Sequence, residues 1–155
     1  MIEPGDNHHK YSMQAFGAIF VEVAVDRDFG LVRVRRLVGA YGTGRIVNPR
    51  IARSQCISGM VGGIVMALME HTSTDGHSRR IVNADLGNYR VPVNAEIADL
   101  DAIFVEEHDP HVNPLGVKGI GELALVGVAP AIANAVFHAT GRRVRRLPIT
   151  PEPLL

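Results

Sequence analysis

The sequence predicts an α+β fold in which a mixed sheet is backed by two buried helices, and three observations support it. The pattern has a period of two from Ala15 onward, with β-branched apolar residues on one face and Phe20, Glu22, Ala24 and Asp26 on the other, which is typical of a strand. Apolar residues recur at helical spacing over residues 57–68. A run of small apolar residues from 123 to 139 follows a glycine-containing loop and predicts the second buried helix. The 155 residues suffice for one domain or for one part of a larger protein.

The alternating segment predicts a β-hairpin. One face of its first strand carries four apolar side chains, at Ile19, Val21, Val23 and Val25. The segment 26–30, Asp-Arg-Asp-Phe-Gly, has the composition of a turn, and the alternation resumes at Val32. The glycine-containing run 40–45 is expected to end the second strand. Residues 102–105 are expected to form a further short strand.

Asn48 and Pro49 predict where the first long helix begins. Asparagine is a favoured N-cap residue, and proline is tolerated in the first turn of a helix. The apolar side chains at helical spacing define the face that we expect to be buried: Ile57, Met60, Val61, Ile64, Val65 and Leu68. A glycine inside a helix lowers helix propensity by about 1 kcal/mol. Gly59, Gly62 and Gly63 therefore predict that a neighbouring group packs very closely against this helix.

Residues 107–122 are predicted to form a long loop, which contains two prolines and three glycines. Loops of this length without regular structure are often functional. The helix after the loop is expected to begin near Gly127, because Pro130 fits only in a first turn. The C-terminal tail contains Pro148 and Pro151 and is expected to be irregular.

The composition is that of a globular chain without a general attraction for nucleic acid or anionic membranes. Sixteen basic residues balance 16 acidic residues. The longest apolar run, residues 57–69, is shorter than the ~20 residues that cross a bilayer, so no membrane span is predicted. The basic clusters at 33–36 and 142–146 alternate with apolar residues and are interpreted as solvated faces of strands. We divide the chain into a flexible start at 1–10 and a domain at 11–155.

Candidate metal-binding and nucleophilic motifs are few. Cys56 is the only cysteine, so it forms no intramolecular disulfide, and it is expected to be a core residue. His108 and His111 have the spacing of a ligand pair, but Pro110 prevents the helix that would align the two rings. We therefore predict no metal site made of protein side chains. The sequence contains neither a nucleophile elbow nor the glycine motif of dinucleotide dehydrogenases.

The segment 117–122, Val-Lys-Gly-Ile-Gly-Glu, is the most informative stretch of the chain. Glycine permits a positive φ or the close approach of a ligand to exposed N–H groups. A carboxylate beside such a loop, partly walled by apolar residues, would resist ionisation and could serve as a base near neutral pH, which points to Glu122. The alternative is structural. In that case Gly119 and Gly121 form a turn, and the dipole of the following helix stabilises the charge of Glu122.

Residues 109–122, Asp-Pro-His-Val-Asn-Pro-Leu-Gly-Val-Lys-Gly-Ile-Gly-Glu, resemble the active-site loop of the xanthine dehydrogenase/aldehyde oxidase family of molybdenum hydroxylases. The agreement extends to further segments, at 44–49, 52–55, 131–136 and 147–150. Within the family, Tyr-Arg-Val-Pro-Val-Asn at 89–94 most resembles the bacterial periplasmic aldehyde oxidoreductase branch. The resemblance covers about residues 11–155, which correspond to only the C-terminal part of the family's molybdopterin-binding domain.

The resemblance implies a set of cofactor-binding residues. Lys118, Gly119, Ile120 and Gly121 would contact the molybdopterin mainly through backbone N–H groups, and Gln55 would hydrogen-bond the pterin. A second cofactor-lining stretch would comprise Arg45, Ile46, Val47, Asn48, Pro49, Arg50 and Ile51. The metal would be held by the dithiolene of the pterin rather than by protein side chains. The family often has a Gln-Gly pair where this chain has Gly62-Gly63, so the pocket wall is expected to differ in shape.

The resemblance also implies the chemistry. Aldehydes would be oxidised to carboxylic acids with water as the oxygen source, and Glu122 would be the base that removes a proton from a molybdenum-bound hydroxyl group. The cofactor would be molybdopterin cytosine dinucleotide. Electrons would leave through the pterin to iron–sulfur clusters and FAD on partner subunits.

The implied partners are the N-terminal part of the molybdenum subunit, a 2Fe–2S subunit, an FAD subunit and an aldehyde substrate, in an oligomer. The absent part of the subunit is expected to supply the close neighbour of the glycine-bearing helix. Because no secretory signal is recognised, we expect a cytoplasmic location, or a periplasmic one reached by export with a partner. The chain alone is expected to be inactive. The alternative is a catalytically incomplete remnant that serves only as a subunit-interaction module.

Overall fold

The computed structural model describes residues 6–97 and 99–155. Three strands form one sheet in the order β1 (Phe16–Val25), β2 (Val32–Gly42) and β3 (Asp99–Phe104). β1 and β2 are antiparallel, whereas β3 runs parallel to β2. β3 begins three residues earlier than predicted from the sequence. The predicted α+β class with a mixed sheet is confirmed.

The hairpin forms as predicted, but its second strand is longer. The Asp26 carboxylate closes the turn by accepting two backbone N–H groups at 2.9 and 3.1 Å. The prediction that the run 40–45 ends β2 is wrong for its first three residues, because the strand continues to Gly42. Tyr41 is fully buried there and pairs with Phe104 of β3. Tertiary pairing therefore outweighs the local tendency of glycine to interrupt a strand.

Within the described residues, four α-helices occur: α1 (Asn7–Lys10), α2 (Pro49–Leu68), α3 (Leu123–Val126) and α4 (Val128–Thr140). α2 begins as predicted, because the Asn48 side chain accepts the Ile51 N–H at 3.1 Å. α4 carries Pro130 in its first turn, also as predicted. Residues 1–5 of the predicted flexible start lie outside the described residues.

The glycine-bearing face of α2 packs against α3 and α4. A Cβ atom at Gly63 would lie 2.4 Å from the Cβ of Val128, and one at Gly59 would lie 3.1 Å from the Cβ of Ala124. The predicted close neighbour is therefore present. The expectation that an absent part of a larger subunit supplies this neighbour is wrong, because the C-terminal helices of the same chain occupy the position.

The buried stripe of α2 is offset from the predicted face. Met60 and Ile64 are buried as predicted, whereas Val61 and Val65 are only half-buried. The stripe continues instead through small residues, at Ala52, Cys56, Gly63 and Ala67. Helices that approach closely need small side chains at their contact, and a pattern of large apolar residues does not reveal that requirement.

Two helical stretches, α2 and residues 123–140, are long and apolar enough to cross a bilayer by length and composition alone. They have 20 and 18 residues and mean hydropathies of 1.4 and 1.6. The prediction that no segment is long enough to cross a bilayer is therefore wrong for α2. Both stretches instead contribute fully buried residues to the core, among them Met60, Val128 and Ile132. Such packing is typical of the core helices of a globular domain.

The face of the sheet opposite the helices is open and carries exposed apolar side chains beside charged ones. Phe16 and Phe20 of β1 are 57% and 65% exposed, and Ile103 of β3 is 49% exposed. The chain exposes 10,879 Å² in total, whereas a folded monomer of 16.8 kDa typically exposes ~7,700 Å². This excess is larger than one protein–protein interface of standard size. The open sheet face contributes to this excess, and so does the segment 70–97, whose residues are mostly exposed.

The two basic clusters differ in structure. The cluster at 33–36 lies in β2 with its arginines exposed, as predicted. The cluster at 142–146 forms no strand, so that prediction is wrong. Val144 packs against the core, and the guanidinium of Arg143 lies 3.6 Å from the centre of the Phe137 ring. An extended tail anchored by one apolar residue shows the same alternation as a strand.

Candidate cofactor-binding site

The two stretches that the sequence analysis assigns to cofactor binding lie against each other. Segments 43–45 and 116–118 pair in antiparallel fashion through backbone hydrogen bonds of 2.7 and 3.2 Å. Beside this pairing is a cleft of about 200 Å³. Its lining includes seven of the predicted residues: Arg45, Ile46, Val47, Asn48, Ile51, Lys118 and Ile120. Tertiary structure thus brings together residues that are about 70 positions apart in the chain.

The pairing depends on glycine at two positions. Gly44 and Gly116 have φ values of +66° and +67°. Side chains disfavour this region of backbone conformation, and glycine adopts it readily. A Cβ atom on Gly44 would also lie 2.3 Å from the carbonyl oxygen of Gly116. These two glycines, which the sequence analysis did not assign to the site, are therefore needed for the two segments to meet.

Gly119 and Gly121 differ from those two glycines. Neither has a positive φ, and no atom of the chain lies within 4 Å of the position that a Cβ would take. In the part of the chain that the structure describes, the N–H groups of Gly119, Ile120 and Gly121 donate to no acceptor. Neither backbone conformation nor packing within the chain requires glycine here. The segment offers donors and space to a group outside the chain, as the close approach of a cofactor requires.

The structure changes the contribution expected of Lys118. Its backbone N–H already donates to the carbonyl oxygen of Thr43 at 3.2 Å, so it is not available to a cofactor. Its side chain is 4% exposed, and its ammonium lies 2.5 Å from Glu107 and 3.1 Å from Asp109. The second carboxylate oxygen of Glu107 accepts the N–H of Gly44 at 2.7 Å. Lys118 therefore anchors the loop to the rest of the chain.

Gln55 lies beside residues 119–121, which we call the glycine segment. It is on the exposed face of α2, and its Nε2 donates to the carbonyl oxygen of Gly121 at 2.6 Å. The helix begins at the Asn48 cap in the wall of the cleft, so Gln55 follows about two turns later. The structure thus places the predicted pterin ligand next to the predicted cofactor loop.

The stretch 45–51 forms the other wall of the cleft. Val47 and Ile51 are 76% and 66% exposed, which is a large exposure for apolar side chains. The side-chain oxygen of Asn48 is occupied by its role as N-cap. Pro49 and Arg50 lie in the first turn of α2 and do not belong to the cleft lining.

Glu122 directly follows the glycine segment and directly precedes α3. Its side chain is exposed and makes no capping hydrogen bond to the helix. The structural alternative agrees with this placement, because Gly121 and Glu122 form a turn and Glu122 is the N-cap residue of α3, although its side chain makes no capping hydrogen bond. The apolar wall expected around the carboxylate is not formed by the residues that the structure describes. The exposed side chain of Glu122 adjoins residues 119–121 in the chain.

One group at the cleft was missed by the sequence analysis. Thr43 lines the cleft and is 1% exposed, and its hydroxyl has no hydrogen-bond partner among the described residues. A buried hydroxyl without a partner costs on the order of 1–3 kcal/mol, so such a group beside a cleft calls for a partner. Its burial is visible only in the fold. Within residues 6–97 and 99–155, no group of three or more His, Cys, Asp or Glu side chains could hold a metal ion.

These features fit a cofactor that is bound mainly by backbone donors. The glycine segment provides three N–H groups and the room that a Cβ would otherwise fill. The amide of Gln55 is exposed next to them. The donor set therefore suits a pterin whose own sulfur atoms hold the metal.

The chain is similar to proteins of one family. The family model for the molybdopterin cofactor-binding domain matches residues 3–98. The aldehyde oxidoreductase molybdenum-binding subunit PaoC of Escherichia coli (strain K12) is 47% identical over 154 residues, which cover 99% of this chain and 21% of that protein. The putative xanthine dehydrogenase molybdenum-binding subunit XdhA of the same strain is 37% identical over 140 residues, which cover 90% of this chain and 18% of that protein.

A solved structure of another aldehyde oxidoreductase also resembles this chain in fold. The aldehyde oxidoreductase of Desulfovibrio gigas matches with a TM-score of 0.80 and 33% identity, over 91% of this chain and 15% of that one. The chain spans about a fifth of the length of the curated relatives it matches. The family model covers more than half of the chain, although it ends before the loop that carries Glu122. The chain belongs to the molybdopterin cofactor-binding subunits of the xanthine dehydrogenase/aldehyde oxidase family and corresponds to one part of such a subunit.

Proposed function

We propose that this chain forms the cofactor-facing part of a molybdenum hydroxylase subunit that oxidises aldehydes to carboxylic acids with water as the oxygen source. One observation carries this proposal. In the glycine segment 119–121, which lies beside the cleft, the backbone N–H groups donate to no acceptor among the described residues and the space around the missing Cβ atoms is open. The names of PaoC and of the Desulfovibrio gigas protein support an aldehyde as the substrate. The proposed cofactor is molybdopterin cytosine dinucleotide, which supplies the redox centre that takes two electrons from the substrate.

The residues that would hold this cofactor come from both walls of the cleft. The N–H groups of Gly119, Ile120 and Gly121 would donate to its polar edge. Gln55 would add its amide from α2, next to Gly121. The stretch 45–51 would form the opposite wall, where the positive end of the α2 dipole favours the phosphates of a dinucleotide.

Glu122 would act as the base. Its exposed carboxylate lies at the end of the glycine segment, so a proton on a group bound there is within reach of the side chain. The absence of a capping hydrogen bond leaves its oxygens available for that proton. General bases of this kind typically contribute ~10²–10⁴-fold to the rate.

The proposed partners are the remaining part of the molybdenum subunit, a 2Fe–2S subunit and an FAD subunit, assembled in an oligomer. Two relatives are named as molybdenum-binding subunits, which implies that other subunits carry the other centres. The open outer face of the sheet, around Phe16, Phe20 and Ile103, provides surface for such contacts.

The same open face supports a second candidate function. A chain of this family that cannot hold molybdenum would still present the open sheet face, and it would then serve as a subunit-interaction module. The two functions predict different cofactor contents for the assembled protein. Molybdenum bound in proportion to this chain favours the enzyme, and assembly without molybdenum favours the interaction module.

Gly121→Ala tests the proposed site. In the assembled enzyme we expect it to lower cofactor occupancy while the chain keeps its fold, because a Cβ there meets no atom of the chain within 4 Å. The Cβ would instead enter the space assigned to the cofactor. Overpacking costs ~1–3 kcal/mol, so the affinity should fall roughly tenfold to hundredfold. Molybdenum and cytidine nucleotide per subunit measure the occupancy, and thermal melting measures the fold.

Gly76→Ala is the matched control. Gly76 also has no atom within 4 Å of its missing Cβ, but it lies in the polar loop after α2 and does not line the cleft. This variant should keep its molybdenum content. If Gly121→Ala also kept full molybdenum content with an unchanged melting temperature, the glycine segment would not contact the cofactor.

The isolated chain is expected to bind little molybdenum and to be inactive. The described residues supply the two walls of one small cleft to the proposed site. A dinucleotide cofactor needs donors on several sides, and with only part of them its phosphates remain solvated. Elemental analysis of the purified chain should give far less than one molybdenum per chain, and a stoichiometric amount would contradict the expectation.

A further inference from the structure

We propose that Lys118, together with Glu107 and Asp109, positions the active-site loop and thereby sets the location of Glu122. We call these three residues the Lys118 junction. They would act on the reaction through the backbone, without touching cofactor or substrate. The inference rests on the proposed role of the glycine segment and Glu122, and it assigns to Lys118 a role different from the cofactor contact that the family resemblance implies.

The Lys118 side chain uses its full donor capacity inside the chain. An ammonium group has three N–H donors. Three acceptors surround it: a Glu107 oxygen at 2.5 Å, an Asp109 oxygen at 3.1 Å and the Gln14 carbonyl oxygen at 3.3 Å. The side chain is 4% exposed. No donor is left for a ligand, so this lysine cannot serve as a cofactor contact while the junction is intact.

The junction joins three separate parts of the chain. Glu107, Asp109 and Lys118 belong to the long loop after β3, and Gln14 precedes β1. The second oxygen of Glu107 accepts the N–H of Gly44 at 2.7 Å, which brings in the connection between β2 and α2. The side-chain contacts thus hold together the same two segments, 43–45 and 116–118, that pair through their backbones.

The glycine segment has few other restraints. Gly119 and Gly121 carry no side chains, and no atom lies within 4 Å of either missing Cβ. At its far end the segment is held by the Gln55 amide, which donates to Gly121 at 2.6 Å, and by the start of α3. At its near end the segment is held by the buried Lys118 side chain, and Val117 before it makes two hydrogen bonds with the Asn113 side chain, at 2.7 and 3.2 Å. A shift at Lys118 would therefore move the segment and Glu122 with it.

All three groups of the junction are charged at neutral pH. The hydrogen bond from Lys118 holds the pKa of the Glu107 carboxyl below its usual range. The N–H of His111, followed by Lys118, lowers the pKa of Asp109 in the same way. The contact with Glu107 raises the pKa of Lys118. Removing the lysine would leave two carboxylates side by side in a largely buried place, and their repulsion would displace the loop.

The Lys118→Met variant tests the inference. The measurement is amide hydrogen exchange in the assembled subunit without cofactor. The informative amides are those of Gly44, Arg45 and Lys118 itself, because their N–H groups donate across the junction. We expect their exchange to accelerate roughly tenfold or more, while α4 amides keep their rates. In the loaded enzyme, kcat per bound molybdenum should fall roughly tenfold to hundredfold, since small displacements of a catalytic group have effects of this size.

Two further variants separate positioning from simple packing. Arg36→Met is the matched control, because it removes an ion pair with Asp99 whose partners are 60% and 72% exposed, and it should change neither readout. Adding Glu107→Gln and Asp109→Asn to Lys118→Met removes the unpaired charges. This triple variant should exchange more slowly at Gly44 and Arg45 than Lys118→Met does, which a loss of packing alone would not produce.

The outcomes decide between the alternatives. Unchanged exchange at Gly44 and Arg45 in a folded Lys118→Met subunit would overturn the inference. If Lys118→Met unfolded the whole subunit, Glu107→Gln would decide, because glutamine can still accept the Gly44 N–H but carries no charge for Lys118. Faster amide exchange at Gly44 and Arg45 in Glu107→Gln supports the role of the junction. Unchanged exchange at these two residues overturns the inference. Because exchange is measured without cofactor, failure of the proposed base would show separately, as turnover retained by Glu122→Gln.

Discussion

Replacing Glu122 with glutamine is expected to lower kcat of the assembled enzyme by ~10²–10⁴-fold, the usual contribution of a general base. Glutamine keeps the size and hydrogen-bonding capacity of the side chain but cannot accept the proton. The carboxylate makes no capping hydrogen bond, so the start of α3 should not respond. The measurement is turnover per bound molybdenum, with elemental analysis of the same preparation. Molybdenum content should remain near that of the unmodified enzyme.

Gln55→Ala should give the opposite pattern. It removes the amide that donates to Gly121 at 2.6 Å and that is proposed to bind the pterin. We therefore expect reduced molybdenum occupancy, with activity per bound molybdenum less affected. If Glu122→Gln kept most of its turnover at full molybdenum occupancy, the assignment of Glu122 as the base would have to be abandoned.

Gly63→Ala is expected to destabilise the chain, although alanine is the better helix former. The new Cβ would lie 2.4 Å from the Cβ of Val128 and 2.9 Å from both of its γ-carbons. Val128 is fully buried, so it has little room to move. Overpacking costs ~1–3 kcal/mol or more and exceeds the ~1 kcal/mol gained in helix propensity. Urea unfolding should show a lower free energy of unfolding and a lower midpoint.

Gly62→Ala, one residue earlier in the same helix, is the matched control. Its Cβ would meet only the Cδ1 of Leu125, at 3.2 Å, which is the end of a flexible side chain. The propensity term should therefore dominate, and the free energy of unfolding should rise by up to about 1 kcal/mol. Destabilisation of equal size in both variants would mean that the contact between Gly63 and Val128 does not set the packing of α2 on α4.

The sequence by itself determined the elements that depend on short-range interactions. The alternation over 15–25 predicted the hairpin, because alternate side chains of a strand point to opposite faces. Asn48 and Pro49 located the start of α2, since an N-cap and a first-turn proline act within one turn. Pro130 located the start of α4 for the same reason. The amino-acid sequence of the long loop identified the family, and the comparisons with known proteins confirmed it.

Only the tertiary structure decided which distant groups meet. It placed Val128 against Gly63, where the sequence analysis expected another part of the subunit. It also enclosed the Lys118 ammonium among acceptors, one of which is 104 positions away in the chain. A glycine in a helix has the same local pattern whichever helix lies against it, and a lysine in a loop has the same pattern whether it is solvated or buried. Such contacts depend on the path of the whole backbone, which places remote atoms within hydrogen-bonding or van der Waals distance.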